Sequence, residues 1–205
     1  MEDVLEVYQR PYDPAHPVIC MDEQPIQLHA EVREPIPAQP GHPERQDYEY
    51  RRNGVVCGFM FTEPLGQWRR VTIAETRTKK DWAHQVQHLL EQDYPDAETV
   101  ILVCDNLNTH VPGALYETFP PEKARNLLSR LEIHYTPKHG SWLNIAEIEL
   151  SALTCQCLNR RIPTIKALRA ETATWNRSRN QAQKGVDWQF TTTDARRKLK
   201  RLYPM

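Results

Sequence analysis

Apolar and polar positions change period several times along the chain, and each change predicts an element. Val18 to Met21 form a short apolar run that stops at Asp22 and Glu23, which reads as a strand ending on two carboxylates. Pro35, Pro37, Pro40 and Pro43 then recur too often for a helix or a central strand, so this stretch reads as loop. In NGVVCGFMFTEPLGQWRRVTIAET, the runs 55–62 and 68–74 flank a turn at Glu63 to Gly66, the signature of a hairpin. From Thr78 the period lengthens. Trp82, Val86, Leu89 and Leu90 share one face of a helix that Thr78 can cap and Pro95 ends. Thr99 to Cys104 is a continuous apolar run, as expected of a strand covered on both faces. PPEKARNLLSRL begins with prolines where a helix tolerates them, and Ile133 to Thr136 reads as a fifth strand. LNIAEIELSALTCQCLN and TIKALRAETATWNRS read as two helices split by Arg161-Ile162-Pro163, and TTDARRKLKRLY as a basic helix. A hairpin beside strands linked by helical crossovers predicts an α/β fold, a mixed five-stranded sheet with helices on both faces.

Composition narrows the class. The length of 205 residues suits one domain, 1–205, and 40% hydrophobic against 26% charged residues is a globular balance. No apolar run approaches the ~20 residues that cross a bilayer, and MEDVLEVYQR lacks the apolar centre of a signal peptide, so a cytoplasmic protein without a membrane partner is expected. The five cysteines are an odd set, three of them inside apolar runs, and are expected to be reduced. Cys155 and Cys157 stand two apart on a helix and point to nearly opposite sides, which argues against a shared zinc. The net charge of −1 hides an asymmetry: residues 1–50 hold eleven acidic and three basic side chains, and residues 155–205 hold three acidic and twelve basic ones. Arg196, Arg197, Lys198, Lys200 and Arg201 suit the phosphates of double-stranded DNA; a solvated helix face is the alternative.

The candidate chemistry lies in carboxylates. Asp22 and Asp105 each follow an apolar strand, and on neighbouring strands they would converge at one edge of the sheet, where α/β folds place their sites. An aspartate after a strand is also a common turn residue, and Glu23 beside Asp22 reads equally as a surface charge. Two close carboxylates repel unless a cation lies between them. Mg²⁺ prefers such oxygens and keeps sites open for substrate phosphate, and two ions about 4 Å apart can serve phosphodiester chemistry. A third acid is expected from a helix near this edge. Glu147 and Glu149 both qualify, about 200° apart on a helix, and periodicity does not choose between them. Asn106 and His110 add polar groups able to orient a ligand.

Asp22, the Asp-Asn-x-x-x-His of Asp105 to His110 and TPKHGSWLNIAE at 136–147 together resemble the catalytic core of DDE transposases, in the bacterial insertion-sequence branch related to mariner elements. The resemblance runs over roughly residues 15–180. It implies an RNase H-like fold and picks Glu147, in Leu-Asn-x-x-Glu, as the third acid beside Asp22 and Asp105, with Asn106, His110 and Asn144 in support. It also implies two Mg²⁺ ions, replaceable by Mn²⁺, hydrolysis at element ends followed by strand transfer into target DNA, self-association that brings two ends together, and a DNA-associated place in a bacterial cytoplasm. Three departures stand beside it. His139, Gly140 and Ser141 replace the aromatic-Ser-Pro of mariner relatives, and the interval from Asp105 to Glu147 is long, with Phe119 to Arg125 as the place of extra residues. Relatives begin with helix-turn-helix modules, whereas this chain enters the catalytic pattern almost at once, so end recognition is expected of a separate chain, or the chain is a shortened copy. A nuclease that cuts without strand transfer and an inactive remnant that only holds DNA are the competing readings.

Overall fold

The structure, a computed structural model, describes residues 1–203. Five strands, β1 (Val18–Glu31), β2 (Tyr50–Glu63), β3 (Trp68–Ala74), β4 (Val100–Cys104) and β5 (Leu131–Tyr135), form one mixed sheet in the order β3-β2-β1-β4-β5. β1, β2 and β3 are antiparallel neighbours, while β4 lies parallel to both β1 and β5. The hairpin, the helical crossovers and the mixed sheet thus stand where the pattern placed them.

β1 corrects the expected boundary. It was expected to stop before Asp22, yet it runs on through Asp22, Glu23 and Pro25 to Glu31. The reason lies in its partners. β4 pairs with it only from Val18 to Cys20, but β2 keeps pairing from Cys20↔Thr62 to Glu31↔Tyr50, so the strand continues as a two-stranded ribbon. Pro25 is tolerated on a stretch that has a single ladder partner.

β4 explains its own composition. Val100, Leu102 and Cys104 enter one core with Ile19, Met21, Phe59 and Phe61, whereas Ile101 and Val103 enter a second core with Cys20 and Met60. Side chains alternate across a strand, so a strand between two cores must be apolar throughout. The first core is closed by α2 (Lys79–His88), α3 (Pro112–Thr118) and α4 (Pro121–Leu128), through Trp82, Ala83, Val86, Leu115 and Leu127. The second is closed by α1 (Glu2–Tyr8), α5 (Ala146–Leu153), α6 (Ile165–Gln181) and α7 (Thr192–Lys198). Thr78 caps α2 in a reciprocal pair with Asp81, and the helix widens into a π turn over Leu89–Asp93 before Pro95. Phe119 to Arg125 falls at the junction of α3 and α4. All five cysteines are free, with Cys155 exposed and Cys157 buried as helical spacing required.

Candidate active site

Asp105 is the first residue beyond β4, and the parallel register Cys20↔Val103, carried two residues further, sets Asp22 beside it. Strand alternation gives Asp22 and Asp105 the parity of Cys20, Ile101 and Val103, the face covered by α5, and gives Glu23 that of Ile19 and Met21, the face covered by α2. The two acids therefore share an edge and a side of the sheet. Asp22 Oδ1 accepts the backbone N–H of Glu23 at 2.8 Å. Burial, above all, pushes its carboxyl up to about 7; the Glu23 N–H opposes this, and the negative charges of Asp105, Glu147 and Glu23 add to it.

α5 brings the third acid. Its entry is pinned by buried Asn144, whose side-chain amide donates to the Met21 carbonyl at 2.8 Å and whose oxygen accepts Ala146 N–H at 3.2 Å. The backbone just before Asp22 is thereby tied to the turn that carries Glu147. Glu147 is exposed and its charge reaches Asp22. Glu149, on the other side of the helix, is fully engaged elsewhere: Arg69 Nε lies 3.2 Å and Arg179 Nη2 2.8 Å from its oxygens, with Arg69 and Glu149 only 1% and 2% exposed. That pair joins α5 to β3 and α6.

His110 lies behind Asp105, on the α2 side. Its Nδ1 is 2.6 Å from Asp105 Oδ1, and its Nε2 is 2.9 Å from Glu23 Oε2. Trp82 stacks on the ring at 5.8 Å and Tyr135 donates to the His110 carbonyl at 2.7 Å. Burial alone would depress the imidazole, but hydrogen bonds with Asp105, Cys104 and Glu23 outweigh it and hold the ring protonated, up to about 12. In that state both nitrogens donate. Among the described residues no group of three His, Cys, Asp or Glu side chains is gathered closely enough to hold a metal ion as it stands. The donor set nevertheless fits a hard divalent cation: oxygen ligands only, with one carboxyl driven toward its neutral form by burial first and by the charges of neighbouring acids second.

Residues 17–169 match the family of the DDE superfamily endonuclease. The chain belongs to that family. Its fold is that of the RNase H-like catalytic domain of the Mos1 mariner transposase. The crystal structure of that catalytic domain aligns with a TM-score of 0.56 at 13% identity, over 88% of this chain and 80% of that one. The Mos1 mariner paired end complex with Mn aligns with a TM-score of 0.57 at 18% identity, over 88% and 54%. The Mos1 strand transfer complex gives 0.56 at 17% identity, over 85% and 51%. The chain thus spans about half the length of the Mos1 chains in those complexes. No curated protein matches it.

Around the acids of this DDE domain, Asn106 is exposed and lines a cleft of about 400 Å³ with Asp105, Thr136, Lys138, His139 and Ser141. His139 takes a left-handed backbone with φ 63°, uncommon outside glycine although histidine adopts it more readily than most. Of the five basic residues singled out, Arg196 pairs with Glu2 of α1 at 2.6 Å and Arg197 with Asp194 at 2.9 Å, while Lys198 lies over the Phe190 ring at 5.5 Å. Lys200 and Arg201 are exposed, with no ion pair among the described residues. Part of the charge asymmetry of the sequence is therefore internal, acidic α1 against basic α7. Sequence reasoning missed Glu23, left as a surface charge; its side chain is 2% exposed and paired with His110. The parity of Ile19, Met21 and Glu23 on β1 was the signal that could have found it.

No helix of the described residues is long and apolar enough to cross a membrane.

Proposed function

We propose that the chain is the catalytic domain of a DNA transposase that hydrolyses phosphodiester bonds at element ends and joins the freed 3′ ends to target DNA. The observation that carries this reading is the register that sets Asp22 beside Asp105 at one edge of the sheet, with α5 tied there through Asn144 so that Glu147 lies near them; the raised carboxyl of Asp22 accords with it. Asp22, Asp105 and Glu147 are the residues that would hold Mg²⁺, or Mn²⁺ in its place. Divalent ions there would supply activation of the attacking oxygen and neutralisation of the leaving one. Asp22 would give up its proton as the cation binds, and Asn144 would keep α5 in register with β1 so that Glu147 meets the two aspartates. Asn106, beside Asp105 in the cleft, would orient the DNA strand. Lys200 and Arg201 are free to meet phosphates, and Lys198 joins them at the cost of its contact with Phe190. Arg196 and Arg197 would first have to leave their carboxylates. Double-stranded DNA is the partner, and self-association is the arrangement that would bring two ends together; the Mos1 paired end complex offers the parallel. The setting is an intracellular one, on DNA.

The test is Mg²⁺-dependent cleavage of a duplex carrying element ends. Asp105→Asn is expected to abolish it, and unchanged cutting would sink the assignment. Joining of a labelled 3′ end to a second duplex separates a transposase from a nuclease, and a salt-sensitive gel shift without any cleavage would show a DNA-holding remnant instead.

A further inference from the structure

Glu23 is a carboxylate on an interior face of the sheet, and burial of a charge there requires a partner. His110 is that partner: Nε2 lies 2.9 Å from Oε2 and 3.2 Å from Oε1, with the two side chains 0% and 2% exposed. The opposite edge of the same ring hydrogen-bonds the Asp105 carbonyl at 3.3 Å and makes a close ion-pair contact with Asp105 Oδ1 at 2.6 Å, an oxygen that has no hydrogen-bond partner among the described residues. The imidazole is thus gripped at both nitrogens, stacked on Trp82 at 5.8 Å, and tethered through its own carbonyl to Tyr135 at 2.7 Å. It has no room to turn. Asp105, by contrast, is the first residue after its strand, 35% exposed, with no ladder to fix its side chain.

We propose that Glu23 is a positioning residue for the metal site: through His110 it fixes the rotamer of Asp105 and engages Oδ1, leaving Oδ2 as the oxygen offered to a divalent cation. This rests on the metal-site reading of Asp105. Asp22 needs no such device, because it lies within β1 and takes a backbone hydrogen bond from Glu23. One residue of β1 thereby supports both aspartates, the first through its N–H and the second through its carboxylate. The bland alternative is that Glu23 and His110 merely neutralise each other and staple β1 to the loop after β4. The two differ in what happens to metal affinity when the staple is weakened but the fold survives.

The experiment is Mn²⁺ binding to the whole chain without DNA, followed by the loss of the free-ion signal in electron paramagnetic resonance. Glu23→Gln keeps the size and the acceptor for Nε2–H while removing the charge. It is expected to raise the Mn²⁺ dissociation constant by about 10-fold, as loss of residues that orient metal ligands commonly does. Glu63→Gln, at a buried carboxylate bonded instead to Tyr94, is expected to leave the constant within about twofold and serves as the control. Asp105→Asn is expected to lose more than either. If Glu23→Gln binds Mn²⁺ like the unsubstituted chain while Asp105→Asn does not, the positioning role is wrong and the metal site stands. If Asp105→Asn also binds normally, the site reading falls and this inference with it. Should Glu23→Gln fail to fold, Glu23→Asp, which keeps the charge but shortens the reach, is read by the same comparison, and an unchanged constant there overturns the proposal.

Discussion

Asp22 and Glu149 are both acids with restricted access to water, and they differ in their neighbours: acids around Asp22, two arginines around Glu149. Asp22 is half-buried near Asp105 and Glu147, and loss of water first, then those charges, raise its carboxyl from 3.8 to about 7. The folded chain then holds that proton more tightly than the unfolded one. Its stabilising contribution is complete below the unfolded value and is lost as pH rises through about 7. Without metal, Asp22→Asn should therefore gain in thermal midpoint relative to the unsubstituted protein as pH rises across this window; a constant difference from scanning calorimetry would show that Asp22 ionises freely. Glu149 instead has two arginines. Removing its charge by Glu149→Gln leaves Arg69 buried without compensation, and breaking such a pair costs about 3–5 kcal/mol, to be read from denaturant unfolding. Glu147→Gln, at an exposed position, should move stability by less than about 0.5 kcal/mol and still abolish metal-dependent cleavage. Equal effects of the two substitutions on both measurements would mean that the two glutamates do not divide the work in this way.

At the scale of elements, α5 and β1 are coupled by one side chain. Asn144→Ala deletes the hydrogen bond to the Met21 carbonyl and the one accepted from Ala146, at 2.8 and 3.2 Å, and leaves a buried carbonyl without its donor. A loss of about 1–3 kcal/mol is expected, together with a fall in cleavage rate as Glu147 loses its register against Asp22; full activity in a variant of lowered stability would separate the two effects and deny Asn144 any part in the site. The same elements show what could be read in advance and what could not. β4 was legible because a strand between two cores has no polar face to lose, and the hairpin of β2 and β3 because its turn punctuates two apolar runs. The length of β1 was not read, although Ile26, Leu28 and Ala30 alternate with polar residues and are buried. Pro25 masked the pattern, since its tolerance depends on which neighbour stops pairing, a fact of the sheet and not of the strand. α1 and α3 are each seven residues long. At that length tertiary packing decides. Asp22 and Asp105 were visible as carboxylates ending apolar runs. Glu23 carried only its parity with Ile19 and Met21, and its partner His110, distant in sequence, is brought to it only by the folded sheet.

Across the whole molecule, charge is sorted twice. The acidic N-terminal and basic C-terminal segments meet in the ion pair of Glu2 with Arg196, which packs α7 beside α1 and consumes part of the positive charge that composition offers to DNA. Lys200 and Arg201, at the exposed end of that segment, have no ion pair among the described residues and can meet a polyanion. Phosphate contacts release counterions, so the logarithm of the association constant falls with the logarithm of salt concentration by about 0.9 per contact on duplex DNA. Lys200→Gln combined with Arg201→Gln should weaken binding to any duplex alike and flatten that slope by about 2. Arg196→Gln tests the internal use of charge: it should lower the thermal midpoint through the lost contact with Glu2 and change the slope by less than one contact. A titration of duplex binding at several salt concentrations reads both. If the Arg196 variant flattens the slope by a full contact, about 0.9, the ion pair with Glu2 opens when DNA binds, and the acidic helix α1 then competes with DNA for the basic one.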